Sequence, residues 1–262
     1  MSTACITVRD LTMAYGNFVI QRDLNFTINR GDIFIIMGGS GCGKSTLLRH
    51  MIGLMAPQHG DIFYGDQSLW QADAIKRRQI LQGTGVLFQS GALLSSMTLA
   101  ENIALPISQA VSLPARKVRE LVAYKLALVG LAGFEDYYPS EISGGMQKRA
   151  GLARAMALDP AILFFDEPSA GLDPISAKLL DDLILNLCAS LATTVVMVTH
   201  ELASIFAVGS NSVFLDAETK TMIAYGPPKQ LLAECPEQKV RSFLSRGVLP
   251  ASDPQSTIRS KP

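Results

Sequence analysis

Residues 32–48 read DIFIIMGGSGCGKSTLL, a short apolar strand from Asp32 to Met37, then a glycine cluster, then a run of helix formers. Gly38-Gly39-Ser40-Gly41-Cys42-Gly43-Lys44-Ser45 fits the pattern G-x-x-x-x-G-K-S, between a predicted strand and a predicted helix that runs from Lys44 to about Leu54. In that setting the string has a mechanism. Its glycines let successive backbone N–H groups turn toward a phosphate, the helix N-terminus adds partial positive charge, and Lys44 is placed for the β- and γ-phosphates. Ser45 is the expected Mg²⁺ ligand, Thr46 follows it in the first helical turn, and Cys42 reads as a spacer. The bland alternative is a glycine-rich turn, which the flanking strand and helix argue against.

Outward from this stretch the chain alternates in character. From Ala4 to Ile28 apolar and polar residues alternate, with Leu24, Phe26 and Ile28 on one side and Asn25 and Thr27 on the other, and Asp61 to Tyr64 followed by the turn Gly65-Asp66 continues that reading. This predicts a small antiparallel sheet with one wet face. Between Thr98 and Tyr138 the spacing of Val118, Leu121, Val122, Leu128 and Val129 is helical, and Pro106 and Pro114 are expected to break the segment. An α/β rhythm then resumes: a helix after Ser143, strands at Ala161–Phe165 and Thr194–Thr199, and a helix from Ile175 to Leu191 between them. A strand pair at Ser212–Leu215 and Thr221–Tyr225 precedes short helices near Lys229 and Val240, and the polar residues from Ala251 onward are expected to be loose. The fold class is α/β, with a parallel-sheet core, an antiparallel β-subdomain and a helical insertion.

Composition narrows the function classes. At ~150 residues per domain, 262 residues suit one large α/β domain with an insertion. Lys plus Arg and Asp plus Glu are both 23, so no electrostatic argument favours a nucleic-acid partner. Hydrophobic residues reach 48% and mean hydropathy is +0.25, yet no apolar run approaches a membrane span; strands buried on both faces account for the excess. Cys5, Cys42, Cys188 and Cys235 fall at no disulfide or metal-ligand spacing, and Met1 to Cys5 do not resemble a secretory leader, so a reducing, cytoplasmic compartment is expected.

Two further stretches carry candidate chemistry. The apolar strand Ala161–Phe165 runs directly into Asp166-Glu167, which puts two carboxylates at a strand's carboxyl end, where open α/β sheets bind ligands. Asp166 suits Mg²⁺, and Glu167 suits polarising the water that attacks a γ-phosphate; a solvated turn is the plain alternative. The strand at Thr194–Thr199 ends at His200, a structural histidine by default, drawn into the reading by its place on the same edge.

Ile142-Ser143-Gly144-Gly145-Met146 resembles the L-S-G-G-Q signature of ABC-type ATPases, and companion motifs lie in order over residues 4 to 226. Tyr15 resembles the adenine-stacking aromatic, Gln89 the Q-loop glutamine, Ser169 to Asp173 the D-loop and His200 the switch histidine. The resemblance implies a P-loop nucleotide-binding domain with a RecA-like core over residues 1–232, a helical subdomain at about 90–155, and an extension at 233–262. It implies ATP and Mg²⁺, with Ser45, Gln89 and Asp166 at the metal and Glu167 and His200 in catalysis. It also implies a head-to-tail dimer in which Ser143, Gly144, Gly145 and Met146 of one chain complete the other chain's site. An SGG turn alone would be only a helix cap.

Phe88 to Leu93 (FQSGAL), Met146 in place of Gln, and Lys239 to Leu244 (KVRSFL) are similar to the ATPase subunits of MCE-type lipid transporters, including the Mla phospholipid system. This implies a peripheral protein on the cytoplasmic face of the inner membrane that powers phospholipid transport between inner and outer membranes. Its partners would be integral-membrane permease subunits docked at the Q-loop and helical insertion, an MCE-domain protein and a small accessory subunit. The competing readings are the ATPase of a polar-solute importer, a non-transport assembly or mechanical ABC ATPase, and a simple P-loop kinase; the last leaves the signature helix unexplained. The stretch 234–247 is expected to steady the dimer or an accessory subunit, with a helix folded back on its own core as the alternative.

Overall fold

The alternation at the start of the chain becomes a hairpin of β1 (Ala4–Tyr15) and β2 (Phe18–Asn29), which turns at Gly16-Asn17. The computed structural model describes residues 4–246, so the tail expected to be loose lies outside the described residues. The order continues as β3 (Ile33–Gly38), α1 (Lys44–Met51), β4 (His59–Tyr64), β5 (Gln67–Ser68), α2 (Ala74–Gln82) and β6 (Thr84–Leu87). Then come α3 (Leu99–Ala110), α4 (Ala115–Leu128), a 3-10 turn at Pro139–Glu141 and α5 (Gly144–Ala155). The chain closes with β7 (Ile162–Asp166), α6 (Pro174–Leu191), β8 (Thr194–Val198), α7 (Leu202–Val208), β9 (Asn211–Asp216), β10 (Thr221–Tyr225), α8 (Pro228–Glu234) and α9 (Gln238–Leu244).

Two sheets result. The order β2-β1-β4-β5 is antiparallel, and the order β10-β9-β3-β8-β7-β6 is parallel except for β10. The continuous apolar strands follow from cover on both faces. Ile33, Ile35 and Met37 of β3 point into a core shared with the helices α3 to α9, while Phe34 and Ile36 point into a second core shared with α1 and the antiparallel sheet. Val195 and Met197 divide from Val196 and Val198 in the same way. The stacked rings of Phe26 and Phe34, 5.5 Å apart, join the two sheets.

Pro106 does not break its segment; it lies inside α3. The helix starts at a full capping box of Thr98 and Glu101 and buries Leu99, Asn102, Ile103 and Ile107, and these terms outweigh the backbone hydrogen bond that a proline removes. Pro114 does mark a boundary, as the residue that precedes α4. Sequence patterning missed α2, β6 and α7. The reason is plainest for α2, which buries no residue and so carries no apolar stripe to be read.

The end of α5 lies directly over β6. A Cβ on Gly85 would sit 2.1 Å from the Ala155 carbonyl oxygen and 2.9 Å from Leu163 Cδ2, whereas one on Gly83 would meet nothing within 4 Å. Gly85→Ala is therefore expected to destabilise the fold by about 1–3 kcal/mol. Gly83→Ala, at φ −82°, should stay within about 0.5 kcal/mol of the parent, a contrast that thermal unfolding of the two variants measures.

Candidate active site

The carboxyl ends of β3, β7 and β8 open onto a cavity of about 820 Å³. Its floor is the loop between β3 and α1: Gly38 to Gly41 and Gly43 to Thr46 all line it. At Gly38 the backbone has φ +147°, and a Cβ there would fall 2.3 Å from the Leu215 carbonyl oxygen, so only glycine lets the chain leave β3 in this direction. Lys44 Nζ donates to the carbonyls of Gly38 and Gly39 at 3.0 and 2.9 Å, which curls the loop around its own cation. Cys42 lines nothing. Its side chain is turned into the core, and burial raises its thiol pKa despite nearby Lys44, in keeping with a spacer and against a reactive thiolate.

β7 delivers the two carboxylates as the sequence predicted, but to different partners. Asp166 Oδ1 accepts from Ser45 Oγ at 2.9 Å, tying the strand end to the first turn of α1. Glu167 lines the cavity in the left-handed region at φ +50°, uncommon for a non-glycine residue, held there by its N–H donating to the Val198 carbonyl at 2.9 Å. Its Oε1 lies 2.9 Å from His200 Nδ1, and its Oε2 is buried with no hydrogen-bond partner. A buried carboxylate oxygen without a partner, at a strained backbone position beside a histidine, is the arrangement expected of a group that binds something further.

Gln89 and Tyr15 line the same cavity. The loop that carries Gln89 is fastened to α5 by two cations, Lys148 donating to the Gln89 carbonyl and Arg154 to those of Ala92 and Gly91, the latter at 2.6 and 3.2 Å. Burial lowers the pKa of both, partly offset at Lys148 by the charge of Glu167. Ser143 caps α5, its Oγ accepting from the Met146 N–H at 3.3 Å, and none of Ser143, Gly144, Gly145 or Met146 lines the cavity. One chain thus brings together Tyr15, the phosphate loop, Gln89, Asp166, Glu167 and His200 and leaves its second glycine-led helix start elsewhere.

Three lining residues were not foreseen: Phe18, Ile20 and Phe243. Phe18 pairs with Tyr15 across the β1–β2 turn, and an exposed aromatic opposite an expected ring contact was a usable signal. Phe243 belonged to a recognised apolar spacing, but nothing in that spacing indicates what the helix packs on.

The ABC transporter family profile matches residues 21–170. The chain is 40% identical over 240 residues to the probable ribonucleotide transport ATP-binding protein mkl of Mycobacterium tuberculosis, covering 92% of this chain but only 66% of that protein. It is 38% identical over 239 residues to the intermembrane phospholipid transport system ATP-binding protein MlaF of Escherichia coli, covering 91% of this chain and 88% of that protein. Among solved structures, the dimeric post-hydrolysis state of the ATP-binding cassette MJ0796 bound to ADP and Pi superposes with a TM-score of 0.75 at 26% identity, covering 84% and 97% of the two chains.

Lys44 is the only cation within the loop. Lys44→Ala is therefore expected to abolish measurable ATP binding by calorimetry while leaving far-UV circular dichroism and cooperative unfolding in place. Unchanged affinity would remove the loop from the site.

Proposed function

The chain belongs to the ABC transporter family, and from that premise we propose that it is the ATP-hydrolysing subunit of a transporter that moves phospholipid between the inner and outer membranes. The observation that carries the ATPase part is the Glu167 carboxylate, buried at the cavity with Oε1 on His200 and Oε2 free of partners. In this reading Lys44 and the loop N–H groups hold the β- and γ-phosphates, and Tyr15 stacks on the base. Glu167 orients the attacking water and takes its proton, and His200 contacts the γ-phosphate. The oxygen donors Ser45 and Asp166, already 2.9 Å apart, and the nearby Gln89 fit Mg²⁺. Bound there, Mg²⁺ would neutralise charge on the phosphates.

The position of Ser143 to Met146 away from the cavity supports a head-to-tail dimer in which each signature helix start faces the partner's nucleotide. Attachment to integral-membrane permease subunits on the cytoplasmic face of the inner membrane, with an MCE-domain protein and an accessory subunit in the complex, extends the same reading; no helix among the described residues is long and apolar enough to cross a membrane. The lipid assignment leans on MlaF, whose length this chain spans almost entirely. The likeness to mkl, which its name links to ribonucleotides, favours a polar solute as second reading.

Two measurements test the proposal. Glu167→Gln should bind ATP yet hydrolyse it at least about 100-fold more slowly, and should persist as an ATP-bound dimer by size exclusion, since loss of one negative charge beside the γ-phosphate removes repulsion. Near-native single-turnover hydrolysis by this variant would return Glu167 to a structural role. The complex purified from solubilised membranes should carry phospholipid and, in liposomes, transfer it on ATP addition; ATPase activity raised by a nucleotide or another polar solute in place of lipid would select the second reading.

A further inference from the structure

α9 packs on the same core as β3 and β8, with Val240 and Leu244 buried, and places Phe243 edge-on against Phe214 at 5.2 Å and in the wall of the cavity. Its first turn carries Lys239, whose ammonium pairs with Asp216 at 2.7 Å and Glu218 at 2.8 Å. Asp216 ends β9. Burial pushes its carboxyl up, but hydrogen bonds from Lys239 and from the Thr219 N–H and hydroxyl outweigh that and hold it at about 2. The pair is therefore charged at any physiological pH.

The end of β9 meets the phosphate loop once directly and once through Gln21. The Leu215 carbonyl is the group against which Gly38 must fit, and the Asp216 carbonyl accepts from Gln21 Nε2 at 2.9 Å. The same Nε2 donates to the Cys42 carbonyl within the loop at 2.8 Å. Gln21 is wholly buried and its Oε1 has no partner, so this amide is spent on bridging two backbone carbonyls. A continuous path thus runs from the α9 ammonium through Asp216 and Gln21 to the loop.

We propose that α9 is a positioning element of the nucleotide site: Lys239, acting through Asp216 and Gln21, holds the phosphate loop in its anion-binding form. The inference rests on the ATP-site reading above. A loop already ordered costs less to order when ATP arrives, so the tie acts on affinity, whereas the bound geometry that sets turnover at saturation is the same with or without it.

The test is calorimetry with Mg-ATP on the full chain, with kcat and KM alongside, for the parent, Lys239→Met, Gln21→Met, the double variant and Lys239→Arg. Each Met substitution should weaken binding by about threefold to tenfold, with KM rising in step and kcat within about twofold. The double variant should be no weaker than the weaker single, because both act on one path, and Lys239→Arg should restore affinity. Parent-like affinity of Lys239→Met, multiplicative losses in the double variant, or kcat falling with thermal stability would each overturn the proposal. If Gln21→Met does not fold, amide exchange of residues 39–43 in nucleotide-free Lys239→Met decides: faster exchange is expected, and unchanged exchange overturns it. A parent chain that fails to bind Mg-ATP would instead bring down the ATP-site reading itself.

Discussion

The constraint on which the rest depends is the exit of the chain from β3. A backbone that must pass within contact of the Leu215 carbonyl at φ +147° and then start a helix at Lys44 has room for no side chain at Gly38. Once that path is set, Lys44 curls back onto the carbonyls of Gly38 and Gly39, Ser45 falls opposite Asp166, and the helix N-terminus faces the cavity. The neighbouring strands β7 and β8 run parallel to β3, so their ends reach the same edge, bringing Glu167 and His200 with them.

Charge is handled differently at the two ends of this machinery. At the cavity, Glu167 keeps one buried carboxylate oxygen without a hydrogen-bond partner. In the loop that carries Gln89 the opposite holds: the cations of Lys148 and Arg154 are committed to the backbone carbonyls of Gln89, Gly91 and Ala92. These charge-assisted hydrogen bonds tie α5 to the loop that carries Gln89. They thereby join the helix that begins after Ser143 to the loop whose glutamine lines the cavity.

The antiparallel sheet and α9 both contribute to the walls of the cavity. β1 and β2 contribute Tyr15, Phe18 and Ile20 to one wall, and α9 contributes Phe243 to another. Within 234–246, α9 lies on the chain's own core, with Val240 and Leu244 buried beside the central strands.

Most of the fold was legible because its signals are local. Strands buried on both faces read as unbroken apolar runs, the phosphate loop and the Asp166-Glu167 pair are contiguous strings at the ends of such runs, and the turn before α5 became legible through its resemblance to the family signature. Local signals fail where a distant contact outweighs them: Pro106 stays helical because α3 is capped and buried, α2 is a helix with no buried face, and Gly85 is demanded by a carbonyl seventy residues away. By itself the sequence determined the phosphate loop and the strand-end acids. Only the tertiary structure decided that Asp166 belongs to Ser45 and Glu167 to His200, that Gln21 bridges Asp216 to the loop, and that Phe243 faces the cavity. Those pairings join residues 21 to 195 positions apart, and their geometry depends on the packing of sheets and helices that no local pattern encodes.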